Sequence, residues 1–588
     1  MTRFAEKVLE ALPTTVFYLS SLGFLLILIL LGFNFPSNVF HVLKIFHFGI
    51  LFSILSSYTL RFFLTFRTKL TKPERTWNAL FAFISILLIL FFVLMLRVNN
   101  ERDLLLNLSS YSLISLVFFV EISKRTFNYD WLSINPRILF ILTFFGIILL
   151  GTLLLMLPKS TVNGISFIDA LFTSTSAVCV TGLAVVDTQY VFTQFGQIII
   201  MMLIQVGGLG VMTFTSFLGI FFIKRTSFRN QIVMQDFVGS ERYNEVFKTV
   251  IKIVLSTLLI EFIGALLLFV SVDNTMDMRL SERFFFSVFH SVSAFCNAGF
   301  STLSMGLAHE QLKFNYAIQL IIASLLVLGG LGFSVFINLY KYLKHYLTNK
   351  IRQFFLKDNF HHLPWVININ TIIVVLTTTV LIVLGTVIVY IFEYNYILSE
   401  HTGFGKLVTA FFASVTPRTA GFNAFNFGEL QTSTLLIIIL LMWIGASPGS
   451  TGGGIKTSTF FIAVLNVFNL SKGKDRIEFM RRKISNISVR RAYALLFLSL
   501  VVIGIGTLLM TFFEKDKPLL AIVFEVVSAY STVGLSMGIT FTLSLASKML
   551  IIAIMFLGRV GMLSVLIGLF TQVRTLNYQY PKEEIIVM

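Results

Sequence analysis

Charged side chains are scarce in this sequence. They make up 12% of its 588 residues, where an ordinary soluble domain carries about 25%. So thin a polar coat cannot cover a chain that is 56% hydrophobic, and a water-soluble globular fold is excluded. Cysteine is almost absent. Cys179 and Cys296 are the only two; they exclude a disulfide framework and, with no histidine cluster beside them, make a poor metal site. The eight histidines are scattered, and the adjacent pair His361 and His362 reads as a solvated loop. No low-complexity tract interrupts the chain. It has no G-x-S-x-G, no H-E-x-x-H and no paired aspartates within an apolar run, so an intramembrane hydrolase lacks its nucleophile and base. No G-x-G-x-x-G strand–helix unit is present, so a nucleotide-binding fold is not encoded here.

Long apolar runs fill the space these absences leave. Mean hydropathy is +0.87, and a helix needs roughly 20 apolar residues to cross about 30 Å of hydrocarbon. Residues 1–130 read as four such spans, at about 14–33, 45–66, 78–97 and 104–121. The first follows MTRFAEKVLE without a small-residue cleavage site, so it reads as a helix and not as a signal peptide. The net charge of +17 follows the orientation rule of membrane proteins and does not point to nucleic acid. It collects in loops: Arg67 to Arg75, Lys224 to Arg229, Lys341 to Lys357, and most densely Lys472, Lys474, Arg476, Arg481, Arg482, Lys483, Arg490 and Arg491. These loops are expected on the cytoplasmic side, with both termini.

From about residue 131 long apolar spans alternate with short, half-polar segments. Four of these segments align on a glycine: T-S-A-V-C-V-T-G-L, V-S-A-F-C-N-A-G-F, S-V-T-P-R-T-A-G-F and V-S-A-Y-S-T-V-G-L. The glycines are Gly182, Gly299, Gly421 and Gly534, 117, 122 and 113 residues apart. Six residues earlier stand Ser176, Ser293 and Ser528, with Val415 in the third copy. Each segment follows one span (about 137–157, 249–271, 370–393, 492–513) and precedes another (about 194–223, 315–340, 433–467, 546–572). The following spans carry G-G-L-G at 207–210, G-G-L-G at 329–332, P-G-S-T-G-G-G-I-K at 448–456 and G-R-V-G at 558–561. The predicted fold is an all-α integral membrane protein. Four pseudo-repeats of helix, re-entrant pore helix, filter and helix surround one central pore, after four extra N-terminal spans.

The segments are too short and polar to span, and irregular backbone at membrane depth is tolerated only where it is buried or lines a water-filled cavity. Four copies around one axis place four such backbones against a common hole. Backbone carbonyls there can replace an ion's hydration oxygens without adding fixed charge. The residues expected to do so, with no side-chain metal ligands, are Val180, Thr181, Gly182 and Leu183; Asn297, Ala298, Gly299 and Phe300; Thr419, Ala420, Gly421 and Phe422; and Thr532, Val533, Gly534 and Leu535. The third following span is expected to break, because Gly445, Pro448, Gly449, Gly452, Gly453 and Gly454 crowd within ten residues. This run lacks the order of a phosphate-binding loop.

These motifs in this order resemble the Trk/Ktr/HKT superfamily of potassium transporters, over about 131–575, and in particular the membrane subunit of bacterial Ktr/Trk uptake systems. The resemblance implies potassium uptake across the cytoplasmic (inner) membrane, potassium as the bound ion, and no organic cofactor on this chain. It also implies a homodimer in the lipid bilayer, with a cytosolic nucleotide-binding regulatory ring on the inner face. Its filter glycines fall on Gly182, Gly299, Gly421 and Gly534. Relatives that favour sodium have serine at the first, so four glycines favour potassium. A gate is implied beneath the filter, formed by Gly449, Ser450, Thr451, Gly452, Gly453 and Gly454 with the intramembrane cations Lys456 and Arg559. The chain then divides as an N-terminal extension (1–130), repeats at 131–240, 241–365, 366–488 and 489–575, and a cytoplasmic tail (576–588). Four leading spans depart from the pattern, since some relatives carry two.

Other polar residues take supporting roles in this reading. Asp169 and Glu525 are expected to cap or brace pore helices, the alternative being to attract cations at the mouth, and Arg418, which stands where Cys179 and Cys296 stand in their copies, is expected to brace the third filter from behind. The alternative to a potassium pore is a sodium-permeable protein or an ion-coupled (Na+ or H+) symporter of the same fold. A symporter calls for a membrane-embedded carboxylate, for which Glu261 is the main candidate.

Overall fold

A computed structural model describes residues 2–65, 109–118, 121, 136–210, 246–272, 278–356, 367–474, 476–562 and 565–566. Among them, five helices are long and apolar enough to cross a membrane, or six if one bent pair is a single span. The first two are Leu12–Gly32 and Ser37–Leu60; the second begins eight residues before the expected 45, because Ser37 follows the break at Pro36. Of the third and fourth expected spans, only the stretch Ser109–Phe118 and Glu121 lie within the described residues.

From Pro136 on, one unit recurs: an outer helix, a short helix, a non-helical loop and an inner helix. The outer helices are Pro136–Leu155, Val246–Val272, Ile369–Glu393 and Asn486–Phe513. The short helices are Phe167–Val178, Leu280–Phe295, Gly403–Val415 and Leu519–Tyr530. The inner helices are Gln194–Leu209, Tyr316–Leu331, Thr432–Trp443 and Leu545–Val560. An inner helix of 16 residues rises only about 24 Å, less than the hydrocarbon thickness. Three of them stop at a glycine with positive φ: Gly210 (78°), Gly332 (86°) and Gly561 (84°). This corrects the expectation of continuous following spans with a break only in the third copy. After Gly332 the chain resumes as helix Phe333–Leu356, turned by 101°. Beyond Gly210 the expected span to 223 lies outside the described residues.

The units close into a ring. Each short helix packs on the inner helix of the preceding unit, and the first packs on the inner helix of the fourth. Within the units, small residues recur at the close approaches. Ser174, Ser291 and Ser414 donate their hydroxyls to the carbonyls of Ile148, Glu261 and Ile382 on the outer helices, at 2.7, 2.6 and 2.8 Å. On the inner helices, Gly207, Gly329 and Gly558 lie so close to the terminal carbonyls of the short helices (Val178, Phe295, Tyr530) that a side chain would overlap them. Apolar side chains fill the rest. One cluster around Phe172, Ile200 and Ile554 joins chiefly the first and fourth units, and another around Phe412, Ile438 and Phe524 joins the third to its neighbours.

The glycine contacts set a stability prediction. Gly558→Ala places a methyl group against the backbone oxygen of Tyr530, which only a backbone shift can relieve. Overpacking of this kind costs roughly 1–3 kcal/mol. A lower thermal midpoint for the detergent-purified protein, with Gly504→Ala (open space around its Cα) close to wild type, is the expected pattern in a thermal-shift assay.

The N-terminal helices have a defined seat. Lys159, between the first outer and short helices, donates its backbone N–H to Gly32 O at 3.0 Å and its ammonium to Leu30 O at 3.3 Å. It thereby satisfies the exposed carbonyl end of the first helix, and Gly32 rests on Leu157.

Candidate functional site: a ring of four glycine loops

The four loops that follow the short helices meet at one point. A side chain added at Gly182 would strike Ala298 O and Gly299 Cα; at Gly299, Ala420 O and Gly421 Cα; at Gly421, Val533 O and Gly534 Cα; at Gly534, Thr181 O and Gly182 Cα. The contacts run from each loop to the next in sequence order and return to the first. All sixteen residues named from the sequence, Val180–Leu183, Asn297–Phe300, Thr419–Phe422 and Thr532–Leu535, are thus brought together.

The backbone of each loop is unusual in the same way. The glycine has positive φ (91°, 71°, 75° and 91°), and so does the residue two before it: Val180 at 57°, Asn297 at 60°, Thr419 at 69° and Thr532 at 50°. Three of these are β-branched, for which the left-handed region is a true outlier costing of order 1–3 kcal/mol each. In a regular extended strand successive carbonyls point to opposite sides. Left-handed residues at alternate positions undo that alternation and let neighbouring carbonyls share a side. The sequence pattern identified the glycines; the strain at the other position had no sequence signal, since Val and Thr ordinarily avoid it.

Hydrogen bonds from behind hold this strain. Ser176 and Ser528 hydroxyls accept the N–H of Gly182 and Gly534 at 3.0 and 3.1 Å, and Ser293 Oγ donates to Phe300 O at 2.7 Å. In the third loop the expected equivalent, Val415, has no hydroxyl. Thr416 takes the role instead, donating to Phe422 O. In the third copy the hydroxyl stands five residues before the glycine and not six, so the alignment on Gly421 placed the brace one residue too early. Arg418 is buried and its Nη2 lies 3.3 Å from Thr378 Oγ1 on the third outer helix. Cys179 and Cys296 are buried free thiols; Cys296 lies beside Gly208, with its Sγ 3.7 Å from Glu261 Oε1. Glu261 also accepts from Gln205 Nε2 at 3.1 Å.

On one side the ring opens into a cavity of about 300 Å³, floored by the four glycines and walled by Asp187, Asn423 and Asn426 among others. Asp187 was not singled out from the sequence. Asp169 and Glu525 brace the helices. Asp169 Oδ1 pairs with Lys548 Nζ at 2.6 Å, which ties the first short helix to the fourth inner helix. Glu525 is fully buried and accepts the hydroxyls of Ser536 (2.8 Å) and Thr540.

On the other side lies the glycine-rich break between Trp443 and Thr457. Gly452 is in contact with Thr419 and Gly453 with Thr532, so this loop covers the underside of the ring. It is pinned to the broken second inner helix: Ser447 N–H donates to Gly330 O (3.1 Å), Thr451 N–H to Gly329 O (3.4 Å), and Phe333 N–H to Gly449 O (3.1 Å). Ser450 Oγ closes a turn on Ser447 O, and Gly454, at φ 66°, lies against Gly445 and Ser531. The two intramembrane cations bind carbonyls. Lys456 Nζ lies 2.7 Å from Gly452 O. Arg559 donates from Nη1 to Thr451 O and from Nη2 to Gly207 O. The sequence marked Gly207, Gly329 and Gly330 as a repeated motif; that their carbonyls would receive the loop and the arginine needs contacts across more than 100 residues.

Comparison with known proteins agrees with this architecture. The sequence pattern of the TrkH family, described as a cation transport protein, matches residues 147–573. The chain is 36% identical over 457 residues to the Ktr system potassium uptake protein B of Bacillus subtilis, covering 77% of this chain and 97% of that protein. It is 36% identical over 462 residues to the potassium/sodium uptake protein NtpJ of Enterococcus hirae, covering 77% and 97%. The crystal structure of the potassium transporter TrkH from Vibrio parahaemolyticus superposes with a TM-score of 0.58 at 17% identity, over 83% of this chain and 97% of that one.

Proposed function

The chain belongs to the TrkH family of cation transport proteins as a Trk/Ktr-type membrane subunit, a transporter and not an enzyme, and on that footing we propose that it takes up potassium through the ring of glycine loops. The observation that carries this is the closure of Gly182, Gly299, Gly421 and Gly534 on one another, each loop with two left-handed residues. Carbonyls of Val180 to Leu183 and of their counterparts replace the water of a dehydrated potassium ion. Asp187 sits on the wall of the cavity through which the ion arrives. The loop from Gly449 to Gly454, with Lys456 and Arg559, closes the path beneath. A cation held there repels the permeating ion, and the carbonyls that hold it are released when the loop moves.

In this reading the basic loops and both termini face the cytoplasm, and the protein lies in the cytoplasmic membrane as a homodimer. A separate cytosolic subunit carries the regulatory nucleotide. The second reading, a sodium-permeable or coupled carrier of the same fold, is prompted by the potassium/sodium uptake protein of Enterococcus hirae among the relatives. Rubidium and sodium influx into liposomes holding the purified chain separate the two. A rubidium-to-sodium ratio well above tenfold, unchanged by a sodium or proton gradient, is the expected result. A ratio near one, or potassium flux that needs a second gradient, would replace the potassium pore by the alternative.

A further inference from the structure

We propose that the hairpin between helix Thr457–Ser471 and the fourth outer helix, together with the first turns of that outer helix, is a docking site for anionic phospholipid headgroups. Lys472, Lys474, Arg476, Arg481, Arg482, Lys483, Arg490 and Arg491 are all exposed, against Asp475 and Glu478 as the only acidic residues of that stretch. The hairpin pairs Glu478 with Lys483 and Phe479 with Arg482. Its two turn residues, Met480 (φ 48°) and Arg481 (φ 62°), are left-handed, in a turn type that ordinarily takes Asn-Gly. Met480 stands 59% exposed at the tip, an apolar side chain inside a basic cluster.

The length of the fourth outer helix sets the depth of this patch. From Ala492 to Phe513 its sequence is uncharged; those 22 residues rise about 33 Å and fill a hydrocarbon layer of about 30 Å. Arg490 and Arg491 fall just outside it, at the level of the phosphates. Arg490 lies on the same helical stripe as Phe497 and Leu508, which are 67% and 72% exposed, so beside the arginines this stripe presents an apolar face at membrane depth. Membrane is therefore favoured over a soluble protein as the occupant. The patch is also held rigidly. Ile477 is buried, the Phe479 ring meets Phe461 edge-on at 5.0 Å, and Tyr493 OH accepts from Asn466 Nδ2 at 2.8 Å. These contacts join the hairpin to helix Thr457–Ser471, whose first residue follows Lys456 in the loop beneath the ring.

The test is lipid retention by the full-length chain, delipidated in detergent and titrated with vesicles of phosphatidylglycerol or phosphatidylcholine. Wild type is expected to retain phosphatidylglycerol selectively. The triple variant Arg481→Gln/Arg482→Gln/Lys483→Gln is expected to bind it roughly a hundredfold more weakly, from three basic residues near an anionic surface. Inorganic phosphate at the same concentration should not displace the lipid, and Lys341→Gln/Lys344→Gln, on another exposed basic helix, should behave as wild type and report on folding. Equal retention of the two lipids by wild type overturns the proposal. So does a triple variant with wild-type retention; if that variant instead fails to bind a cytosolic regulatory subunit, the patch is a protein-docking face. None of these readouts depends on the ring being the ion path.

Discussion

Gly534→Ser is expected to lower the rubidium-to-sodium influx ratio at least tenfold while the protein still assembles. Gly534 holds φ at 91°, and any side chain there overlaps the Thr181 carbonyl of the first loop. A left-handed conformation costs an L-residue roughly 1–2 kcal/mol, and every 1.4 kcal/mol is a factor of ten. The chain has two exits: widen the ring or turn the Thr181 carbonyl away. Either removes an oxygen from the place where a dehydrated potassium ion would need it, and sodium entry gains relative to potassium. Gly538→Ala supplies the control. Gly538 has the same φ, 90°, with nothing within 4 Å of an added side chain. It shares the backbone strain without the collision, so it should lose some stability and keep the ratio. Equal ratios for Gly534→Ser and wild type in isotope influx would mean that ions do not pass this ring.

The second large effect is expected at Arg559. Its guanidinium donates to Thr451 O in the glycine-rich loop and to Gly207 O on the first inner helix. Hydrogen bonds from a charged donor contribute about 1.5–3 kcal/mol each. Arg559→Gln removes the charge and at least one of the two bonds, which frees the loop from its anchor. If the loop closes the path in the resting protein, flux without any regulatory subunit should rise by one to two orders of magnitude. Lys456→Met is expected to act in the same direction more weakly, because the carbonyls that Lys456 binds, Gly452 O and Gly453 O, belong to its own loop. A fall in flux for the folded Arg559→Gln protein, or no change, would show that the loop is a fixed part of the path and not its gate.

How much of this was legible in the sequence depends on the range of the interaction. The glycines at 182, 299, 421 and 534, and the hydroxyls at Ser176, Ser293 and Ser528, stand at a recurring spacing, so alignment of the chain with itself finds them. Thr416 escaped because its hydroxyl stands five residues before the glycine and not six, away from the aligned column. The breaks at Gly210, Gly332 and Gly561 escaped for another reason. A glycine within an apolar run reads as a packing residue, and nothing local distinguishes that from a helix end.

The sequence by itself determined that the chain lives in lipid, that a half-polar, glycine-centred segment recurs four times, and that the third following span is broken. Each of these is a property of composition or spacing along one dimension. Tertiary structure decided the rest. It set the closure of the loops in cyclic order, each short helix seated on the inner helix of the unit before it. It placed Val180, Thr419 and Thr532 in left-handed conformations that their own propensities oppose, with Asn297, which tolerates that region, at the equivalent position. It also paired Arg559 with Thr451 and Gly207, and Lys159 with the end of the first helix. The physical reason is common to all of these. The groups against which each loop closes, and the acceptors of Arg559 and Lys159, come from distant parts of the chain, and their identity appears only when the ring is assembled.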